Sequence, residues 1–394
     1  MNIKDRVSSR IEEIYQEVVD MRRDFHMYPE MGMEEYRTAG IVAEKLRSYG
    51  LAVTENVVGT GVVAMLEVKN PKGTIAFRAD MDALFVTEQN EFPYVSKTEG
   101  MMHACGHDGH MASVLGVAKI LCEMRDELNC NIKFIFQPDE EDQKGGGAKP
   151  MVDCGVLDDV DAIIGAHIWC ELPYQTIGMK EGPFFAISDR FKIKVTGKSG
   201  HAGYPQLSCD TIPIAAQIII ALQSIVSRHI DPLQPAVISI GTIKGGYRAN
   251  VISDEVVMSG SLRAFDSTLR EEMVEKMDHI VTNIASAHNA VGVLEYGRFY
   301  PVLINDPSVT KRVGGIIKNS VDDIKLDKNA EKTMAGEDFA CFLEKIPGTF
   351  IMIGGAKNDG SMVYPHHHPK FDFDERAMKV MMQVFCMTAF EYFS

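Results

Sequence analysis

Arg190-Phe191-Lys192-Ile193-Lys194-Val195-Thr196 alternates polar and apolar side chains with a period of two. A strand of that pattern buries one face and wets the other. Earlier segments read differently. Residues 61–68, 74–77, 131–136 and 161–166 are short continuous apolar runs, which suit strands buried on both faces. Helical patterns stand around them at 3–24, 38–48 and 110–124, and Gly50 closes the second by taking the left-handed conformation. After Thr196 come a helix at 211–229, strands at 236–243 and 251–263, a helix at 267–288 and a strand at 291–296. That order, βαββαβ, is the ferredoxin-like split unit. Beyond residue 300 the pattern returns to helix, strand and helix. The expected fold is therefore α/β: one domain of residues 1–185 and 300–394, with a mixed sheet flanked by helices, and an inserted ferredoxin-like α+β domain at 186–299.

Composition narrows the partners. With 394 residues, 45% hydrophobic and 24% charged, the chain can bury a full core and divide into two domains. Fifty-five acidic against 40 basic residues give a formal charge of −15, which repels phosphate backbones and anionic membrane surfaces. Nucleic acid and membrane partners are not expected. The first 30 residues are charged and amphipathic, with no signal-peptide core, so a cytoplasmic location is expected. Eight cysteines are scattered without a Cys-x-x-Cys pair, which predicts reduced core residues with Cys105 as the exception.

His103-Ala104-Cys105-Gly106-His107-Asp108-Gly109-His110 places a thiol and three imidazoles directly before a helix. Thiolate and imidazole are good ligands for zinc and similar ions, and a rigid turn can aim Cys105 and His107 at one point. A surface histidine cluster is the plain alternative. Gln137-Pro138-Asp139-Glu140-Glu141 follows the apolar run 131–136. Adjacent carboxylates at the end of a buried strand repel one another unless cations offset them, so one can bind metal while its neighbour acts as a base; a solvated acidic loop competes. His167 ends the run 161–166, and His366-His367-His368 lies late in the chain, where a flexible basic patch competes. Metal-capable groups at the ends of successive elements make chance assembly the poorer account. Gly197-Lys198-Ser199 lacks the leading glycine of a phosphate loop, Lys192 standing there instead, and Gly145-Gly146-Gly147 reads as a tight backbone approach.

These residues resemble the aminoacylase and carboxypeptidase metallohydrolases, and within them the amidohydrolase branch of hippurate hydrolases, indole-acetyl-amino-acid hydrolases and N-acetyldiaminopimelate deacetylases. The resemblance runs from Arg22-Arg23-Asp24-Phe25-His26 through Arg78 to Leu84, Met102 to His110, Gln137 to Glu141, Gly200-His201-Ala202, Asn250-Val251-Ile252, Gly260 to Arg263 and Gly336 to Phe339. It closes on His367 to Glu375, which opens with a His-x-Pro-x-Phe pattern at His367, Pro369 and Phe371. It implies that Cys105, His107, Glu141, His167 and His367 hold two divalent ions (zinc, manganese, nickel or cobalt), that Glu140 is the general base, and that Asp82 orients a ligand. His110 would pack nearby without binding metal. His201 would polarise the scissile carbonyl, in its own subunit or across a dimer interface, while Asn250 and Arg263 would contact substrate, Arg263 gripping its carboxylate with a planar fork. The implied reaction is metal-dependent hydrolysis of the amide bond of a small N-acyl amino acid by a metal-activated water, in a homodimer or higher homo-oligomer whose inserted domain serves as lid and dimer surface. Three alternatives stand beside it: a dipeptidase or carboxypeptidase, a Cys105 nucleophile paired with histidine, and a non-catalytic metal or small-molecule binding protein. Phe85, Asp139, Gln206 and Ser253 depart from the family's usual proline, alanine, histidine and proline.

Overall fold

The computed structural model describes residues 2–141, 145–357 and 362–394. Two compact units divide the chain: Met1–Gly182 with Ile304–Glu331 and Asp338–Ser394, and Pro183–Leu303 with Lys332–Glu337. Where the sequence pattern puts the insertion at 186–299, the second unit starts at Pro183, ends at Leu303 and takes in a later return of the chain at Lys332–Glu337.

The first unit is built on an eight-stranded mixed sheet. Its strands run in the order Ala52–Val57, Gly61–Leu66, Asn131–Gln137, Thr74–Asp80, Ala162–Pro173, Gly348–Ala356, Thr176–Gly178 and Lys325–Asp327. The four middle strands are parallel. Thr74–Asp80 is buried at every position and Asn131–Gln137 at all but its first, as strands inside an α/β sheet must be. Helices Ile3–Met27, His107–Glu123 and Ala377–Glu391 pack into one core with these strands, through Val18, Phe25, Val114, Leu121, Met381 and Phe385. Parallel strands end on one edge, so Asp80, Gln137 and the loops after them emerge together.

One strand departs from expectation. His167 does not end its strand, which runs from Ala162 to Pro173. Pairing with Thr74–Asp80 stops at Gly165, whereas pairing with Gly348–Ala356 continues through Met352 opposite His167. Past Gly165 the strand is thus supported on one side and open on the other, and the open flank is where His167 stands.

In the second unit, strands Ala236–Gly245, Glu255–Ala264, Ile187–Thr196 and Val291–Tyr300 form an antiparallel sheet in that spatial order. Helices Thr211–Ser224 and Ser267–Ala287 supply Ile214, Ile218, Met273 and Met277 to a separate core with Ile193, Val195 and Met258. The expected strand 251–263 is in fact two: Val251–Ile252 pairs with Gly200–His201, and Glu255–Ala264 joins the sheet. Ser253 makes the break, because its buried hydroxyl accepts from Gly246 N and donates to Glu255 O, bonds that compete with a continuous ladder. The helix expected at 211–229 likewise ends as an α-helix at Ser224 and finishes in a π turn, Ile225–His229.

Gly109 sets a close approach in the first unit. A Cβ there would come within 2.5 Å of Phe373 Cζ. Gly109→Ala would gain about 1 kcal/mol of helix propensity and lose about 1–3 kcal/mol to overpacking, a net cost of up to about 2 kcal/mol. The expected result is a lower denaturant midpoint at unchanged m-value; an unmoved midpoint would mean Phe373 yields.

Candidate metal centre

The turn before helix His107–Glu123 exists because Gly106 holds φ +94, a left-handed conformation that glycine adopts without strain. It delivers Cys105 and His107 side by side. His107 Nδ1 donates to the carbonyl of Asp82 at 2.9 Å, which leaves Nε2 as a buried lone pair with no hydrogen-bond partner among the described residues. His167 repeats the arrangement: Nδ1 donates to the carbonyl of Ile168 at 2.9 Å, and Nε2 faces Cys105 Sγ at 3.4 Å. Ring nitrogens fixed in this way by a backbone acceptor present the opposite lone pair outward, as metal-ligating histidines do. His110 is the contrast. Its Nε2 accepts from Ile168 N at 2.9 Å, so Nδ1 carries the hydrogen donated to Asp80 at 2.7 Å, and neither nitrogen remains to bind an ion.

Glu141 and His367 complete the group. His367 N donates to the carbonyl of Ala104 at 2.8 Å, and His367 Nε2 lies 3.1 Å from Glu141 Oε1. Ligand atoms of Cys105, His107 and His167 fall within 4.8 Å of one another; so do those of Cys105, Glu141 and His367, and those of His107, Glu140 and Glu141. Cys105 is shared by the first two sets. Glu140 Oε2 is 3.9 Å from His107 Nε2. Asp82 works from behind: one carboxylate oxygen accepts from Glu140 N and the other from Glu141 N, each at 3.0 Å.

The donor set fits a divalent ion. Burial pushes His107 down, yet Asp80, Asp82 and Glu141 outweigh it and raise the ring to about 10. The field that would hold a proton on Nε2 is the field a cation there would meet. Burial, then Glu141 and Glu140, push the Cys105 thiol well above its usual range, which disfavours a thiolate nucleophile when no cation is near.

Of the neighbouring imidazoles, His366 also lies near Cys105. Its Nδ1 lies 3.9 Å from Sγ, its ring packs on Trp169 and Phe371, and burial together with His367 pushes it down to about 3. His368 stacks on Tyr364 and accepts from Lys370 N. Sequence reading also gave no task to Arg22, whose buried guanidinium joins Asp108 at 2.8 Å, Asp372 at 3.2 Å and Glu375 at 3.3 Å, tying the Cys105–His107 turn to the segment after His367. Arg78 and Asp80 were likewise missed as supports; a charged pair inside a strand buried on both faces was the available signal.

The second unit carries the other named residues. His201 is exposed, pairs with Val251, and accepts from Gly203 N through Nδ1 at 2.9 Å, so its neutral form presents Nε2–H as a donor. Asn250 lies beside it, its carbonyl accepting from Ala202 N at 3.1 Å. Arg263 stands opposite Ser188 on the sheet; burial and then Arg190 push its guanidinium down, and a Cβ on Gly336 would lie 3.1 Å from its Nη1.

Comparison with known proteins places these features in company. A family model described as peptidase family M20/M25/M40 matches residues 76–391. An N-acyl-L-amino acid amidohydrolase of Geobacillus stearothermophilus is 41% identical over 312 residues, 79% of this chain and 84% of that protein. Thermostable carboxypeptidase 1 of Saccharolobus solfataricus is 39% identical over 96% of each chain. Among solved structures, the Bacillus subtilis YXEP protein, a dinuclear metal-binding peptidase of the M20 family, superposes with TM-score 0.83 at 34% identity, covering 97% of this chain and 99% of its own.

Proposed function

The chain belongs to peptidase family M20/M25/M40, and from that membership we infer its reaction: metal-dependent hydrolysis of the amide bond of an N-acyl amino acid. The observation that carries the reading is the pair of oriented lone pairs, His107 Nε2 and His167 Nε2, turned toward Cys105 while Glu141 and His367 meet the same thiol. Cys105, His107, Glu141, His167 and His367 would hold two divalent ions, as the YXEP protein's description as dinuclear supports. Such a pair, when bound, supplies a water of lowered pKa and polarises the carbonyl.

The chain's own residues do the rest. Glu140 takes the water's proton and passes it to the departing nitrogen, being close enough to the ligands without being needed among them. Asp82 fixes the backbone that carries Glu140 and Glu141. His201 donates its Nε2–H to the carbonyl oxygen as negative charge develops there. Arg263 grips the substrate carboxylate, and Asn250 lies beside His201 to bind substrate. The second unit serves as lid and as the surface of a homodimer. Support for the latter is the edge position of strand Ala236–Gly245 and the exposure of Ile212 and Ile220 on the neighbouring helix.

The carboxypeptidase relative supports a second reading, peptide rather than acyl substrates, since both release an amino acid bearing a free carboxylate. Purified protein supplied with manganese or zinc and offered N-acyl amino acids, their carboxamides and dipeptides separates the two. The expected result is amine release fastest from N-acyl amino acids. Arg263→Met should raise KM by about 10- to 100-fold for substrates with a free carboxylate, the size of a lost charge-assisted hydrogen bond, and leave carboxamides nearly unaffected. No release from any compound with both ions bound would overturn the reading; faster release from dipeptides would move it to the peptidases.

A further inference from the structure

Glu35 is a buried carboxyl for which the reaction above has no use. It sits just before helix Tyr36–Ser48 and is 0% exposed. Burial and the nearby Asp82 raise it to about 7. A carboxyl in such a place is costly and calls for a compensating role.

Its contacts show where that role lies. Oε1 accepts from Asp139 N at 3.0 Å, and Oε2 accepts from the hydroxyl of Thr60. Asp139 N, Glu140 N and Glu141 N are consecutive. The first ends on Glu35 and the other two on Asp82, so the whole backbone of the catalytic segment is held by carboxylates from behind. Asp139 extends the clasp. It holds φ +52, a conformation that side chains rarely adopt, and its buried carboxylate accepts from Gly146 N at 2.9 Å. Two glycines make room for it. A Cβ on Gly32 would lie 2.0 Å from Asp139 Oδ1, and one on Gly147 would lie 1.8 Å from the carbonyl oxygen of Pro138. The glycine run thus folds back on the segment it follows.

We propose that Glu35 is a positioning residue for the hydrolytic site, fixing through Asp139 N the peptide planes from which the base Glu140 and the ligand Glu141 project. A peptide plane that turns at Asp139 swings both carboxylates, whereas loss of a contact elsewhere in the core would not. The inference rests on the roles given above to Glu140 and Glu141.

The test compares Glu35→Ala and Glu35→Gln with the wild-type holoenzyme, by kinetics on an N-acyl amino acid and by titration of the metal-free proteins with manganese(II) alone. Glu35→Ala should lower kcat by about 10- to 100-fold with KM within about threefold, and weaken manganese binding by about 10-fold, the usual effect of losing a group that orients a ligand. Glu35→Gln keeps an oxygen able to accept from Asp139 N and should recover most of both. Thr60→Val covers the case in which Glu35→Ala does not fold: it leaves Glu35 without its hydroxyl donor, and kcat should fall by at least about threefold. Wild-type kcat and manganese affinity in the alanine variant, or in Thr60→Val, would overturn the proposal, as would a glutamine variant no better than alanine. Were the wild-type protein inactive on every N-acyl amino acid, the reading of its function would fall, while the manganese titration would still decide the role of Glu35.

Discussion

Glu140→Gln is expected to reduce kcat by about 10²- to 10⁴-fold, the range for removing a general base, with two ions still bound per chain. The substitution keeps the shape of the side chain and the backbone bond from residue 140 to Asp82, so the turn that presents Glu141 should hold. What it removes is an oxygen able to take a proton beside His107, 3.9 Å away. Glu140 is buried, which strengthens any charge interaction it makes with the reacting water and raises the cost of losing it. Measurement of kcat and KM together with metal content by atomic emission gives the answer. Turnover above about a tenth of wild type would remove Glu140 from the base position, and a loss that tracks missing metal would make it a ligand instead.

Much of this centre could be read from the chain before any coordinates. Cys105 and His107 stand out because a thiol and imidazoles share one turn, and Glu140 and Glu141 because acids follow a buried strand. Each is a local signal. The residues that hold them in place were harder to see, since their partners lie far away in sequence. Arg22 meets Asp372 and Glu375 across the length of the chain. Glu35 reaches Asp139, which stands in the sequence as one of three adjacent acids and a departure from the usual alanine, with nothing to point to Glu35. The apolar run that stops at His167 predicts a strand end there, but pairing with Gly348–Ala356 carries the strand on to Pro173. The break at Ser253 was invisible for a similar reason: a strand pattern spans it, and only the hydroxyl's bonds to Gly246 and Glu255 interrupt the ladder. Alternation at residues 190–196 succeeded because one face of Ile187–Thr196 is buried and the other is not, which is what a period of two reports.

Complete removal of metal should take activity to the uncatalysed background, and returning manganese, zinc or cobalt should restore it. The reason lies in the charge balance. Asp80, Asp82, Glu140 and Glu141 crowd a site beside Cys105 and His107, where Arg78 and His110 answer Asp80 and the remaining negative charge raises His107 to about 10. A divalent pair offsets that crowding, so the loaded protein should also melt higher; with free ion at 100 times its dissociation constant the gain is about 2.7 kcal/mol for one site. The same experiment tests the thiol alternative. A Cys105 nucleophile would need no ion and would be lost to alkylation, whereas a Cys105 ligand is protected from alkylation while the ions are bound. Activity that survives a chelator and then disappears on alkylation would transfer the chemistry to the thiol. Activity lost to the chelator, regained with metal, and shielded from alkylation only in the loaded state leaves Cys105 as a ligand and the attacking group as water.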